Sequence, residues 1–285
     1  MTAHAPTVAF SGIDCLDIDV QVQIANGLPA FTIVGLPDKA VGESRERVRA
    51  AFNLSDGGDP MIEKFLGRVD AQLYPRPGGV FYSGRCAFAR ASDLYILGLN
   101  PGGSPDPQTS ATVERHITKV LHDVPNCWSE YTDESWEGRV PGTYGMQPRI
   151  THMLNKLGLN PHLVPASNVV FVRSNNEAAL TAEKQNLLQL CWPVHEMVIQ
   201  QLGVRAILCL GGTAGRWVRE MLAADQPLGH FVETNARGWR SKAHANARGQ
   251  CVLTLTHPSR ADWRNPTADP TPFVQEILSL ARAKH

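Results

Sequence analysis

The chain has 285 residues, 43% of them apolar and 19% charged, a globular composition with length enough for one large domain and a small appendage. Its 27 Lys and Arg balance 27 Asp and Glu, so the formal net charge is zero and a polyanionic partner would have to meet a local basic patch rather than a global field. No apolar run approaches the roughly 20 residues of a membrane span. Cys15, Cys86, Cys127, Cys191, Cys209 and Cys251 are scattered without a Cys-x-x-Cys pair or a signal-like N-terminus, so reduced thiols in a cytoplasmic protein, with no zinc or iron–sulfur site, are expected.

The chain opens with alternation at Ile18, Val20, Val22 and Ile24, an Asn26-Gly27 turn signal and Phe31-Thr-Ile-Val34, which together predict a hairpin. Asp38 can cap a helix running through Glu43 to Ala51. The stretches from Gly27 to Asp38 and from Glu43 to Ala50 closely resemble the N-terminus of the magnesium-chelatase-like competence ATPases, over about residues 8–52. ATP binding is not carried over, because the chain contains no Gly-Lys dipeptide to end a phosphate-cradling loop.

After a Gly/Asp/Pro break at residues 55–60, strand-like runs at 94–99, 169–172, 206–210 and 252–256 alternate with helical stretches at 181–202, 213–224 and 272–283. This order predicts a central parallel four-stranded sheet flanked by helices, α/β in class, with a small hairpin and helix in front of it. Ligands of such sheets bind at the carboxyl ends of the strands. Residues 104–147 are the least regular and carry Trp128, Tyr131, Trp136 and Tyr144, fitting either a functional lid or a small satellite core.

Two strand ends carry the chemistry: Tyr95-Ile-Leu-Gly-Leu-Asn-Pro-Gly-Gly103 and Leu253-Thr-Leu-Thr-His-Pro-Ser-Arg260. Small residues around Asn100 let backbone and amide approach a ligand closely. As a pair, the segments resemble the two signature motifs of the uracil-DNA glycosylase superfamily, with the Asn-bearing first motif closest to the mismatch-specific and single-strand-selective branches. The resemblance covers about residues 60–285. It implies that Asn100 positions a water without taking its proton, and that His257 donates a hydrogen bond to the departing base. It also implies that Gly98, Leu99, Pro101 and Gly102 shape the base pocket, that Ser259 grips the DNA backbone, and that the DNA-binding segment from Arg260 to Arg264 occupies the place of the wedge that fills the gap left by a flipped base, with Arg260 and Trp263 as the wedge candidates and local packing as the alternative for Trp263.

The segment Asn168-Val-Val-Phe-Val-Arg-Ser-Asn-Asn176 resembles the base-reading segment of the single-strand-selective branch. There an Asn preceded by a His reads uracil; here the aligned residues are Arg173 and Ser174, with Asn175 and Asn176 following. A changed reader suggests a changed base. Together with Trp136 and Tyr144 it suits a bulkier base, such as the hydroxymethylated or glucosylated cytosine of phage DNA, removed in antiviral defence. A competence-gene fragment joined to a glycosylase fits a mobile element that carries such a gene. Repair of uracil or deaminated bases and a catalytically silent DNA-binding sensor stand as alternatives. No lysine stands out as a Schiff-base nucleophile, so the expectation is a monofunctional enzyme without cofactor, a monomer acting on double- or single-stranded DNA and not on membranes. Between Arg237 and Arg264, the cations Arg237, Arg240, Lys242, Arg248, Arg260 and Arg264 face one acid, Asp262, either as a solvated loop or as a phosphate-binding patch.

Overall fold

The computed structural model describes residues 2–11, 14–23, 61–103, 111–174 and 177–283. Contacts divide the chain into two units, Met1–Ser55 and Asp56–His285. In the first, β1 (Thr2–Ser11) and β2 (Asp14–Gln23) pair antiparallel from Thr2↔Gln23 to Ser11↔Asp14. The alternating segment pairs with the strand before it, whose Ala3, Ala5, Pro6 and Ala9 carry little periodic signal. That turn, residues 31–34 and the helix predicted to end at Ala51 lie outside the described residues.

The second unit runs through α1 (Met61–Leu66), α2 (Arg85–Phe88), β3 (Leu94–Gly98), α3 (Val113–Thr118), α4 (Gln147–Lys156), β4 (Ala166–Asn168), α5 (Glu177–Ala182), α6 (Lys184–Gln201), β5 (Ala206–Leu210), α7 (Gly212–Leu222), β6 (Gln226–Val232), β7 (Arg240–Ala245), β8 (Cys251–Leu255) and α8 (Thr271–Ala283). Its sheet has the order β4-β3-β5-β8-β7-β6. The first four strands are parallel, and β7 and β6 extend the sheet antiparallel. The four parallel strands expected are therefore the core of a six-stranded mixed sheet. The extra hairpin escapes a pattern reading because Gln226–Val232 is largely exposed and holds Pro227 and Gly229, while the inward positions of β7 are only Ser241, Ala243 and Ala245.

Both faces of the parallel part are covered, which is why its strands read as apolar runs rather than alternations. Tyr95, Leu97, Ile207, Cys209 and Val252 enter one core with α6 and α7, while Ile96, Leu208, Leu253 and Leu255 enter the other with α4 and α8. The fourth strand sits at Ala166–Asn168, with Ile96 opposite Ala166, and not at 169–172. Val169–Val172 is apolar because it is buried in the core after the ladder ends, its last regular bond running from the Val170 N–H to the Leu99 carbonyl at 3.0 Å.

The expectation of reduced thiols fails at one pair. Cys86 and Cys127 form a disulfide, their Cα atoms 4.9 Å apart, while Cys191, Cys209 and Cys251 are buried and in no disulfide. The bond ties α2 to the segment before Trp128, beside the Gly84 N–H to Trp128 carbonyl bond of 2.8 Å. No helix among the described residues is long and apolar enough to cross a membrane.

Candidate active site

The sheet register brings the two motifs to one level. Leu97 of β3 pairs with Cys209 of β5, and Cys209 with Thr254 of β8. Three residues further along each strand stand Asn100, Gly212 and His257. Since β4 lies on one side of β3 and β5 on the other, the chain reverses its winding at β3/β5, where open α/β sheets form their ligand crevice. Asn100 and His257 flank the end of β5, their strands two spacings apart, roughly 9–10 Å. Gly211 makes this possible. Its φ of 105° suits glycine, and a Cβ there would stand 3.2 Å from His257 Cδ2.

His257 is half-buried and its tautomer is set locally. The Ser259 backbone N–H donates to Nδ1 at 3.1 Å and the Ser259 hydroxyl lies 2.7 Å from the same nitrogen. Nδ1 is therefore an acceptor, and the ring proton sits on Nε2, available to a ligand. Burial, with Arg260 adding to it, lowers the histidine pKa below its ordinary 6.5 and keeps the ring neutral at pH 7. Two arginines hold the loop from outside: the Arg149 guanidinium donates to the Pro258 carbonyl, and Arg237 Nη1 donates to the Arg260 carbonyl at 2.5 Å.

Ser259 and Arg260 are exposed. Arg264 is exposed but engaged, its Nε and Nη2 each 2.8 Å from the Asp262 carboxylate, and this guanidinium holds the Asp262 pKa down to about 2. Trp263 corrects the sequence reading: it has 0% exposure and packs in the core with α8, so it is not a surface wedge. An aromatic in a polar loop reads as exposed until the helix that covers it is in place.

Asn100 is half-buried, its Nδ2 donating to the Pro101 carbonyl at 3.0 Å. An amide has no proton-accepting base to offer, so it can orient a water but not deprotonate it. Asn100, Pro101 and Gly102 border a cavity of about 760 Å³, to which Trp136, Tyr144 and Arg173 also contribute. Gly98 and Leu99 do not border it. Ser174 is half-buried and does not border it, and Asn175 and Asn176 are outside the described residues. His257 stands on the same sheet edge but not in this lining. Arg173 reaches the cavity while donating to the Gly102 carbonyl, and a Cβ on Gly103, at φ 91°, would stand 2.6 Å from its Nη1.

The aromatic-rich segment divides. Trp128 and Tyr131 are core, at 2% and 1% exposure, whereas Trp136 and Tyr144 face the cavity. Around them stand groups that no motif marked. Glu130 accepts from Trp136 Nε1 at 2.8 Å, and burial raises its pKa. Lys119 meets Glu134 at 2.5 Å. His116, whose Nδ1 accepts from the Val80 N–H at 3.2 Å, is brought to a pKa of about 3 by burial, helped by Lys119 and Arg173, and so is neutral. Asn168, which no motif marked, stands next to the cavity residue Tyr82. It ends β4, is 3% exposed, carries an Nδ2 with no partner among the described residues, and is close enough to the cavity residue Tyr82 to lower the pKa of its hydroxyl against the rise from burial. Had the strand been placed at 166–168, its terminal Asn would have been the signal.

The α/β domain thus places an amide and a neutral imidazole level across its switch point. Residues 87–280, about two thirds of the chain, match the uracil DNA glycosylase superfamily, and the chain belongs to that superfamily. Residues 20–61 match subunit ChlI of Mg-chelatase. Among similar proteins, the uncharacterised protein YifB of Escherichia coli strain K12 is 40% identical over 133 residues, 47% of this chain and 25% of the relative. The competence protein ComM of Haemophilus influenzae is 36% identical over 73 residues, 26% of this chain and 14% of the relative. An uncharacterised protein of Mycobacterium tuberculosis strain H37Rv is 40% identical over 78 residues, 27% of this chain and 15% of the relative. The chain thus spans a quarter or less of the length of these relatives.

Proposed function

We propose that residues 60–285 form a monofunctional DNA glycosylase that draws a base out of the stack and hydrolyses its N-glycosidic bond, leaving an abasic site. The observation that carries this is the level placement of Asn100 and His257, with the histidine proton on Nε2. The bond from the sugar carbon to the base nitrogen breaks first and its electron pair goes to the base. The Nε2–H of His257 donates to the base carbonyl oxygen where that charge gathers. A water oriented by Asn100 then adds to the electron-poor sugar carbon, and its proton passes to the departed base. Ser259 and Arg260 contact the DNA backbone, while Arg264 acts through its bond to Asp262.

The preferred base in this reading is a hydroxymethylated or glucosylated cytosine of phage DNA, excised in the cytoplasm by a monomer as antiviral defence. The cavity of about 760 Å³ is larger than a bare pyrimidine fills, and its wall carries Lys119, Glu130, Glu134 and Arg173, polar groups suited to hydroxyls. One observation favours the competing reading, repair of uracil or another deaminated base: the unpartnered Nδ2 of Asn168 would suit a carbonyl on the edge of the base. Residues 1–52 are a passive appendage in either case, and their deletion is expected to leave activity intact.

The test is abasic-site formation, read by alkali cleavage, on DNA carrying uracil, hypoxanthine, hydroxymethylcytosine or glucosylated hydroxymethylcytosine. Cleavage confined to the modified cytosines supports the defence reading. Comparable cleavage at uracil sinks it in favour of repair.

A further inference from the structure

The antiparallel extension of the sheet places a second group of side chains at the active edge. β7 runs against β8, with Lys242 opposite Thr254, so Arg240, where β7 begins, stands level with Thr256, one residue before His257. The Thr256 N–H donates to the Ser241 hydroxyl at 3.1 Å, which fixes that level. β6 ends at Val232, opposite Arg240. The connecting turn, residues 233–239, therefore projects from the same edge as the His257 loop. It is joined to that loop through Arg237, which donates to the Arg260 carbonyl at 2.5 Å and pairs with Glu233 at 2.9 Å.

The turn presents an aromatic ring and cations. Trp239 is 37% exposed, the one aromatic among the exposed large apolar side chains of the described residues, and the Arg237 guanidinium lies 4.5 Å from its ring centre. Arg240 and Lys242 are exposed on alternate positions of β7, and among the described residues neither makes an ion pair. The nearby acids already hold cations: buried Glu233 binds Arg237 through Oε2, and Asp262 is held by Arg264. A ring beside unpaired cations, continuous with a loop that faces DNA, has the chemistry of a nucleic-acid ledge, where bases stack on aromatics and cations track phosphates.

We propose that the β6–β7 turn is such a ledge. Trp239 stacks on a base flanking the extruded nucleotide, and Arg240 and Lys242 contact the phosphates of the same strand. This rests on the glycosylase reading for the presence of an extruded nucleotide, and it gives the enzyme an aromatic contact in place of the buried Trp263.

The experiment is fluorescence anisotropy of the full chain with labelled single- and double-stranded oligonucleotides carrying a stable abasic analogue, which keeps binding apart from catalysis, over about 50–200 mM salt. Trp239→Ala is expected to weaken binding about tenfold or more, with Trp239→Phe recovering most of it. Arg240→Gln is expected to reduce the slope of log K against log salt by about one, and it stands as an independent variant should Trp239→Ala loosen the turn. Wild-type affinity and slope in folded Trp239→Ala and Arg240→Gln proteins would overturn the ledge while leaving the glycosylase reading in place. Absence of any DNA binding by the wild-type chain would overturn both.

Discussion

The backbone N–H and hydroxyl of Ser259 converge on Nδ1 of His257, at 3.1 and 2.7 Å, so a residue two places along the chain decides which ring nitrogen carries the proton. If that proton is the one donated to the departing base, His257→Ala should lower the single-turnover rate about 10²–10³-fold, the effect of losing one preorganised donor. Ser259→Ala removes the hydroxyl but keeps the backbone N–H, and should cost less. Equal losses for the two variants would assign the serine a role beyond orienting the ring.

The pH dependence follows from the same ring. Burial and then Arg260 place the histidine pKa below 6.5, and protonation of Nδ1 would break the contact with the Ser259 N–H and turn the Ser259 hydroxyl from donor to acceptor. Activity should be level through neutral pH and fall only on the acid side of 6.5. Arg260→Gln removes a charge that opposes protonation, so its acid limb should move to higher pH. Single-turnover rates from pH 5 to 8 check both statements, and an unmoved limb in the variant would contradict the second.

Stability should also depend on pH through a histidine outside the site. Buried His195 accepts from the Tyr95 hydroxyl at 2.9 Å and donates from Nε2 to the Val169 carbonyl at 3.1 Å, and burial lowers its pKa to about 4. The unfolded chain takes up this proton near pH 6.5 and the folded one only near 4, so the contribution is complete above 6.5 and is lost as pH falls towards 4. Melting curves should show Tm falling over that window in the wild type and less steeply in His195→Gln.

At the end of β3, a Cβ on Gly98 would lie 2.2 Å from the Oδ1 of Asn168, whereas one on Gly102 would meet nothing within 4 Å. Gly98→Ala should therefore displace the Asn168 amide and cost about 1–3 kcal/mol of stability. Gly102→Ala should leave Tm close to wild type. Denaturant unfolding of the two variants, with the rate on a cleaved substrate, distinguishes a lost reader from general damage.

The Cys86–Cys127 bond closes a separation of 41 residues, which on chain-entropy grounds is worth about 4 kcal/mol. Reduction, or Cys86→Ser with Cys127→Ser, should lower Tm by roughly 10 °C for a domain of this size. Equal Tm with and without reductant would show that the thiols contribute nothing as a crosslink.

The parallel strands were legible because burial on both faces makes β3, β5 and β8 continuous apolar runs, and Asn100 and His257 were legible because Pro-marked turns end two of those runs. What was not legible depends on contacts between distant residues. Val169–Val172 looked like a strand because it is core, although its backbone leaves the ladder. Trp263 looked like a wedge because nothing in its own loop reveals that α8 covers it. Cys86 and Cys127 carry no motif, and only the packing of α2 against the Trp128 segment brings them together. His116 enters the cavity from α3, Lys119 from the helical turn that follows it and Glu130 from the loop beyond, and none of them belongs to a strand-end motif.

The most direct test of the account is to incubate the wild-type chain with the pooled modified and deaminated DNAs and to identify the small-molecule product by mass spectrometry, beside His257→Ala. A free base, with an unbroken strand bearing an abasic site that only alkali cleaves, and far less of both from the variant over the same time, is the expected result. A released nucleotide, a strand cut without alkali, or undiminished release by His257→Ala would contradict it.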